Sequence, residues 1–226
     1  QAYLALSNTD NVAKPIVAAS HFACADDLGS SATERQVVIF DQCTASMADA
    51  TNDVIAKSLG NSAAILAWPK THRDWQRPGY MLYGNSPFSE GQENANKLQP
   101  VMSLQSAVIS IRRIASGESV GYTANWTAGR DSIIATITVG YGDGYPRQAP
   151  NGTPVLVNGE RCPLVGRVSM DMITVDVTDL NPVSIGDKVI LWGPELPVNE
   201  IAEHCNTIGY ELLTRIPSRV PRIYSN

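Results

Sequence analysis

Two glycine-flanked clusters hold side chains suited to proton transfer. VGYGDGYPR, residues 139–147, carries Tyr141, Tyr145, Asp143 and Arg147, and its Gly142 and Gly144 let the backbone turn tightly. VGRVSMDM, residues 165–172, brings Arg167, Met170 and Asp171 close together at a strand end. On composition alone the first reads as a strand ending in a glycine turn with aromatic packing. The second reads as a half-buried strand with an ordinary salt bridge. Three more polar sites border apolar runs earlier in the chain: His21 follows one, in SHFACADD, Asn61-Ser62 opens the second, and Arg77-Pro78-Gly79 opens the third. If these are consecutive barrel units, polar residues near strand ends gather at one mouth, where barrel enzymes keep their sites. Small residues such as Ser62 and Gly79 could then offer backbone N–H groups to a phosphate. Asn-Ser and Pro-Gly are also ordinary turn dipeptides, and a histidine in the position of His21 can equally be a hydrogen-bonded structural residue.

The elements that must position these residues fall into two styles. PIVAAS, SAAILAWP and GYMLYG read as three buried strands, and ATERQVVIFDQCTASMADA as a helix with Val37, Val38 and Phe40 at roughly helical spacing. Ser31 with Glu34 three residues on reads as a capping box opening that helix. Strand, helix and strand with short connections predict a parallel α/β layer. Three strands cannot close such a sheet, so an edge stays open; the pattern is that of the last strands of a (β/α)8 barrel. Past residue 100 the runs SLQSAVISIRRI, SIIATITV, TPVLVNGERCPLVGRV and MITVDV alternate with period two. Ile133, Ala135, Ile137 and Val139 are expected on one face, and Ile173, Val175 and Val177 on another. Asn158-Gly159 is a strong hairpin signal and Asn151-Gly152 a second turn. VNEIAEHCN and YELLTRI predict short helices. The boundary is expected in the polar stretch near residues 88–100, giving an α/β part over 1–95 and a mostly antiparallel β domain over 96–226, with Tyr141 in a turn after a strand.

The chain has 226 residues, 43% of them hydrophobic, which suffices for a sizeable core. Seventeen Lys and Arg against twenty-two Asp and Glu give a formal charge of −5, unsuited to a nucleic-acid or anionic-membrane binder. No run approaches the ~20 apolar residues of a membrane span. Cys24, Cys43, Cys162 and Cys205 form no CxxC pair, which argues against a zinc ribbon and against a disulfide scaffold and leaves no metal site expected. Reduced thiols suit the cytoplasm. The opening QAYLALSNTD has neither an initiator Met nor a signal segment, so a processed terminus or a piece of a longer protein is expected.

SHFACADD, NSAAILAWP, DWQRPGYMLYG, PVMSLQSAVI, VGYGDGYPR, GTPVLVNGERCPLVGRVSMDM, ILWG and YELLTRIPSRVPRIY resemble, in order, the C-terminal portion of bacterial alanine racemases, from about residue 15 to the end. The resemblance implies a (β/α)8 barrel holding pyridoxal 5'-phosphate (a fold-type III enzyme), then a β-rich domain. It also implies a head-to-tail homodimer, each site joining one subunit's barrel to the other's β domain. The reaction implied is racemisation of alanine at its α-carbon by two opposed bases, supplying D-alanine for peptidoglycan. Tyr141 matches the tyrosine base. A free phenol titrates near pH ~10, and the family's His–Arg chain, matched by His21 and Arg77, is expected to make it a usable base. Arg77 also matches the permanent cation facing the pyridine nitrogen, which moderates the cofactor's electron withdrawal. Ser62, Gly79 and the backbone of Tyr80 match the phosphate cradle. Met170 and Asp171 match the pair touching the substrate carboxylate, and Arg167 an entrance residue. Ser218 stands where many members place a tyrosine on the phosphate, and its hydroxyl is shorter than that tyrosine's reach.

The family's Schiff-base lysine motif has no counterpart. Lys14, Lys57, Lys70, Lys97 and Lys188 all lie outside any similar segment. The expectation is a truncated chain, inactive alone. Two alternatives stand beside it: a non-catalytic β-domain binding module, and a racemase of broader amino-acid range.

Overall fold

The computed structural model describes residues 1–180 and 182–224. Two compact units divide the chain, Gln1–Gln99 and Pro100–Asn226. The first contains α1 (Ala2–Ser7), β1 (Val17–Ala19), α2 (Ala32–Thr51), β2 (Ala56–Ser58) and α3 (Ser62–Ala67). β1 and β2 pair in parallel, Val17 with Ala56 and Ala19 with Ser58. A third parallel segment contributes one bridge, Ser58 to Trp75. Phe22, Phe40, Leu59, Leu66 and Phe88 form the core of this unit.

Three sequence expectations fail here. SAAILAWP is not a strand: its first six residues are α3. A short continuous apolar run carries no period to separate a buried helix from a buried strand, and Ser62, Ala63, Ala64 and Leu66 are all buried. The deciding signal is Asn61, whose side-chain oxygen accepts the Ala64 N–H at 3.0 Å and caps an alanine-rich turn. GYMLYG is not a strand either. Tyr80–Tyr83 wind into a 3₁₀ turn closed by Gly84, and Trp75, upstream, supplies the third parallel contact. The capping box of Ser31 and Glu34 does not form. Ser31 Oγ accepts from Arg35, while Ser30 Oγ takes the Ala32 N–H at 3.2 Å.

The second unit contains β3 (Leu104–Ile114), β4 (Ser119–Val120), β5 (Trp126–Thr127), β6 (Ser132–Ile137), β7 (Pro154–Val157), β8 (Glu160–Pro163), β9 (Ile173–Asp176), β10 (Lys188–Trp192), α4 (Val198–His204) and α5 (Gly209–Thr214). Six of the strands make one sheet in the order β8-β7-β10-β3-β6-β9, every pair antiparallel. Its two outer strands approach each other. Leu164, directly after β8, bridges Val175 of β9, and Val165 N donates to Thr174 O at 2.9 Å. The sheet thus nearly closes on itself and hides its edges. β6 buries both faces. Ala135 and Ile137 are inaccessible, but so is Ile134, which packs with Ile114, Val120, Ala128 and Val165, while Ile133 is only half-buried. The single-face reading of this strand was therefore incomplete. Trp192, Leu191, Leu196, Ile201 and Leu212 fill the interior under α4 and α5. Among the described residues no helix is long and apolar enough to cross a membrane.

Asn158 and Gly159 join β7 to β8 with φ of 52° and 86°, a two-residue turn with both centres left-handed. A Cβ added at Gly159 meets nothing within 4 Å, so its substitution isolates backbone strain from packing. Gly159→Ala is expected to lower stability by about 1 kcal/mol. Urea denaturation should show this as a lower midpoint with an unchanged slope.

Candidate active site

In the first unit, His21, Ser62 and Arg77 each lie just beyond the carboxyl end of a parallel segment. His21 follows β1 by two residues, Ser62 follows β2 by four, and Arg77 follows Trp75 by two. Arg77 ties the strand ends together. Its Nη1 donates to Ser58 O at 2.9 Å and to Ser58 Oγ at 2.6 Å, its Nη2 to Ser20 O at 2.6 Å, and its backbone N to Gly60 O at 2.8 Å. The guanidinium is cationic, and these oxygens fix its plane. Ser62, buried at the start of α3, receives two backbone donors on its hydroxyl: Gly79 N at 3.0 Å and Met81 N at 3.2 Å. Gly79 leaves open space where a Cβ would stand. Tyr80 between them is buried. The His21 imidazole is not joined to Arg77 by a hydrogen bond. The residue is exposed, and its carbonyl accepts Gln36 Nε2 at 3.1 Å.

In the second unit the two sequence clusters meet. Tyr141–Asp143 form a 3₁₀ turn after β6. Tyr141 N donates to Ser169 O at 3.0 Å and Gly142 N to Met170 O at 2.8 Å. A Cβ on Gly140 would lie 2.4 Å from both carbonyl oxygens, so only glycine permits this approach. The Asp143 carboxylate turns back to accept the Gly140 N–H at 2.9 Å. Met170 and Asp171 project from a turn in which Ser169 Oγ donates to Met172 O at 2.7 Å. Met170 is 53% exposed and Tyr141 39%.

The tyrosines of the GYGDGY segment part company. Tyr145 is fully buried and stacks on Trp192, ring centres 6.2 Å apart. Burial, with a smaller contribution from Cys205, pushes its phenol well above the ordinary value. Tyr145 therefore stays neutral and closed to solvent, and Tyr141 alone of the pair offers a hydroxyl to a reactant. Cys162 and Cys205 are held as thiols in the same way, pushed up to about 12 and about 11 by desolvation. Arg167 is half-buried and its backbone packs under Gly121, while Ser218 is exposed.

Sequence reading missed the parts that hold these groups in place. Ser58 was unremarked, though its two oxygens anchor Arg77. Asp143 was noted only as a neighbour. Arg219, whose Nε reaches Asp143 at 2.9 Å and whose Nη2 reaches Asp171 at 2.7 Å, was not singled out. Partners so far apart in the chain leave no local signal; only the GDG spacing hinted at a structured turn.

Comparison with known proteins agrees over the whole chain. The family model described as "Alanine racemase, N-terminal domain" matches residues 1–87, and "Alanine racemase, C-terminal domain" matches 101–224. The similarity thus begins at the first residue rather than near residue 15, and it takes in part of the N-terminal domain as well as the C-terminal one. An alanine racemase of Vibrio cholerae is 50% identical over 219 residues, 97% of this chain and 59% of that protein. The crystal structure of the biosynthetic alanine racemase from Pseudomonas aeruginosa superposes with a TM-score of 0.89 at 47% identity, covering 99% of this chain and 61% of that one. The Bartonella henselae alanine racemase with covalently bound pyridoxal phosphate has a TM-score of 0.85 at 34% identity, covering 94% and 57%. The chain spans about three-fifths of the length of the relatives it matches.

The closeness of residues 140–142 to Ser169 and Met170 gives a local prediction. Gly140→Ala should break both backbone bonds at once. Amide exchange at Tyr141 and Gly142 is expected to accelerate by about tenfold or more, as loss of about 1.4 kcal/mol of local stability would produce. Amides at the sheet centre, such as Ile134, should keep their protection.

Proposed function

This chain belongs to the alanine racemase family, and from that membership we propose that it is the larger part of a cytoplasmic, pyridoxal phosphate-dependent enzyme interconverting L- and D-alanine. D-alanine supply for peptidoglycan is the role that follows. The observation that carries this reading is the pairing, beyond the ends of adjacent parallel strands, of a fixed guanidinium with converging backbone donors. Gly79 and Met81 aim their N–H groups at the Ser62 hydroxyl beside an open glycine face, and Arg77 is anchored by Ser20 and Ser58. That set fits a phosphate ester joined to an aromatic ring.

Pyridoxal phosphate, when bound, supplies the electron-withdrawing system that acidifies the α-hydrogen of an amino acid. The chain's own groups do the rest. The Ser62 hydroxyl, with the backbone of Gly79 and Tyr80 around it, would hold the phosphate. Arg77 would face the ring nitrogen as a permanent cation and so would keep that nitrogen unprotonated. His21 borders the same strand end. Tyr141 takes or returns a proton at the alanine α-carbon, a task open to an exposed phenol and closed to Tyr145. Met170 and Asp171, joined to the Tyr141 turn, orient the substrate carboxylate, and Arg167 stands behind the entrance. Ser218 is too short to replace a phosphate-bound tyrosine. By the family resemblance, the Tyr141 cluster of one subunit serves the Arg77 cluster of its partner in a head-to-tail homodimer.

Two outcomes test this reading. The 226-residue chain alone should not racemise alanine, because the second base and the covalent tether are lysine functions that none of its five lysines matches. Joined to the part of the Pseudomonas aeruginosa relative that it does not span, it should convert L-alanine to D-alanine, and Tyr141→Phe should lower that rate by about 10²- to 10⁴-fold. Activity of the chain alone would overturn the first claim; activity surviving Tyr141→Phe would overturn the base assignment. In the same joined protein, Ser62→Ala should weaken pyridoxal phosphate retention about tenfold, the scale of one charge-assisted hydrogen bond. Titration of the bound-cofactor absorbance would read this directly.

A further inference from the structure

The segment after α5 packs against the Tyr141 turn. A Cβ on Gly144 would come within 2.8 Å of Arg215 O, and one on Gly142 within 2.5 Å of Arg219 Nη2. Ile216 is buried, and Arg222 Nη2 donates to its carbonyl at 3.1 Å, fixing the path of this segment. From it Arg219 reaches into the gap between the two clusters. Its Nε donates to Asp143 Oδ1 at 2.9 Å and its Nη2 to Asp171 Oδ1 at 2.7 Å. Asp143 passes the restraint on, because its other oxygen accepts the Gly140 N–H at 2.9 Å. One rigid fork thus engages a carboxylate from each turn. Gly142 lacks a side chain at the place where the guanidinium lies.

We propose that Arg219 is a positioning residue that locks the Tyr141 turn to the Met170–Asp171 turn, so that the phenol and the substrate-facing pair keep one mutual geometry. This deepens the proposed function and rests on it for the role of Tyr141. The physical case has two parts. The planar guanidinium presents donors on two edges, whereas a lysine ammonium is a single point charge on a flexible stem. Removing the cation also leaves Asp143 and Asp171 as neighbouring like charges, which drives their turns apart. The backbone bonds from Tyr141 and Gly142 hold one side of the junction, and Arg219 holds the other.

The test separates positioning from general stability. The 226-residue chain is labelled with 3-fluorotyrosine, and the Tyr141 fluorine resonance is assigned as the one missing in Tyr141→Phe. In Arg219→Gln the Tyr141 resonance is expected to move at least halfway toward its position in the unfolded chain. The Tyr145 resonance, shielded by Trp192, should stay in place and the urea midpoint should hold. Arg219→Lys should recover less than half of the shift. Asp171→Asn added to Arg219→Gln should change little further, as expected for groups acting through one contact. In the racemase-competent joined protein, Arg219→Gln should lower kcat about tenfold with KM for alanine unchanged within about twofold, as misorientation rather than lost binding predicts. An unmoved Tyr141 resonance would overturn the proposal. So would parallel movement of Tyr145 with a lower urea midpoint, which would mark Arg219 as a general stabiliser. If Tyr141→Phe retains activity, the base assignment fails while the fluorine result still decides the lock.

Discussion

The bonds from Tyr141 N to Ser169 O and from Gly142 N to Met170 O are the contact on which the geometry of the Tyr141 and Met170 turns depends. They join residues some thirty positions apart and need a glycine at 140, because any Cβ would strike both carbonyls. Behind that contact lies the near-closed sheet. β6 delivers the chain to the Tyr141 turn, and β9 begins just after the Met170 turn. The two strands pair directly, Ile137 opposite Ile173. The register of one antiparallel pair therefore brings both turns to the same end, and the backbone bonds between the turns extend that pairing. A slip of one residue would turn every side chain of the strand to the other face and separate the clusters.

In the α/β unit the corresponding restraint is Arg77. The carboxyl ends of parallel strands present carbonyls that the ladder does not satisfy, and buried carbonyls need partners. Arg77 supplies one to Ser20 and adds a second donor to Ser58, whose carbonyl also accepts the Ser20 N–H at 3.2 Å. The same side chain that completes the strand ends also sets a fixed positive charge there, at the carboxyl ends of β1 and β2. Structural and electrostatic roles coincide in one residue, so a change at Arg77 would disturb strand spacing and charge together and could not be read as loss of charge alone.

The β-rich unit was legible in the sequence because its signals are local. Asn158-Gly159 announced the β7–β8 hairpin, and the alternation over residues 104–114 and 173–177 announced strands that the sheet contains. The α/β unit was less legible. Its strands are three residues long, too short for alternation to register, and SAAILA, buried at four of its six residues, has no polar face to betray a helix. The cap at Asn61 was the usable signal, and it was taken as a turn. Candidate site residues were reachable where type and spacing were distinctive, as in GYGDGY and VSMDM. Their holders, Ser58 and Arg219, lie in other segments, 19 and 76 residues from the groups they hold, and only folding brings them near.

The two units differ in how they end their sheets, and that bears on which could keep its geometry unaided. In the β-rich unit the bridge between Leu164 and Val175 leaves little open edge, and the turns around Tyr141 are tied on two sides. In the α/β unit, among the described residues, β1 pairs only with β2. Its other side opens on a cleft lined by Ile16, Val17, Ile39, Phe40 and Met47, with Val38 and Ile39 more than half exposed on α2. An unpaired strand beside an apolar cleft leaves both a ladder edge and apolar surface uncovered. The Ser62 and Arg77 side chains sit at the ends of these strands, beside that open edge. Rigidity at the Tyr141 turn and an open edge at the Arg77 end thus follow from one difference: a sheet that nearly meets itself, and a sheet that does not.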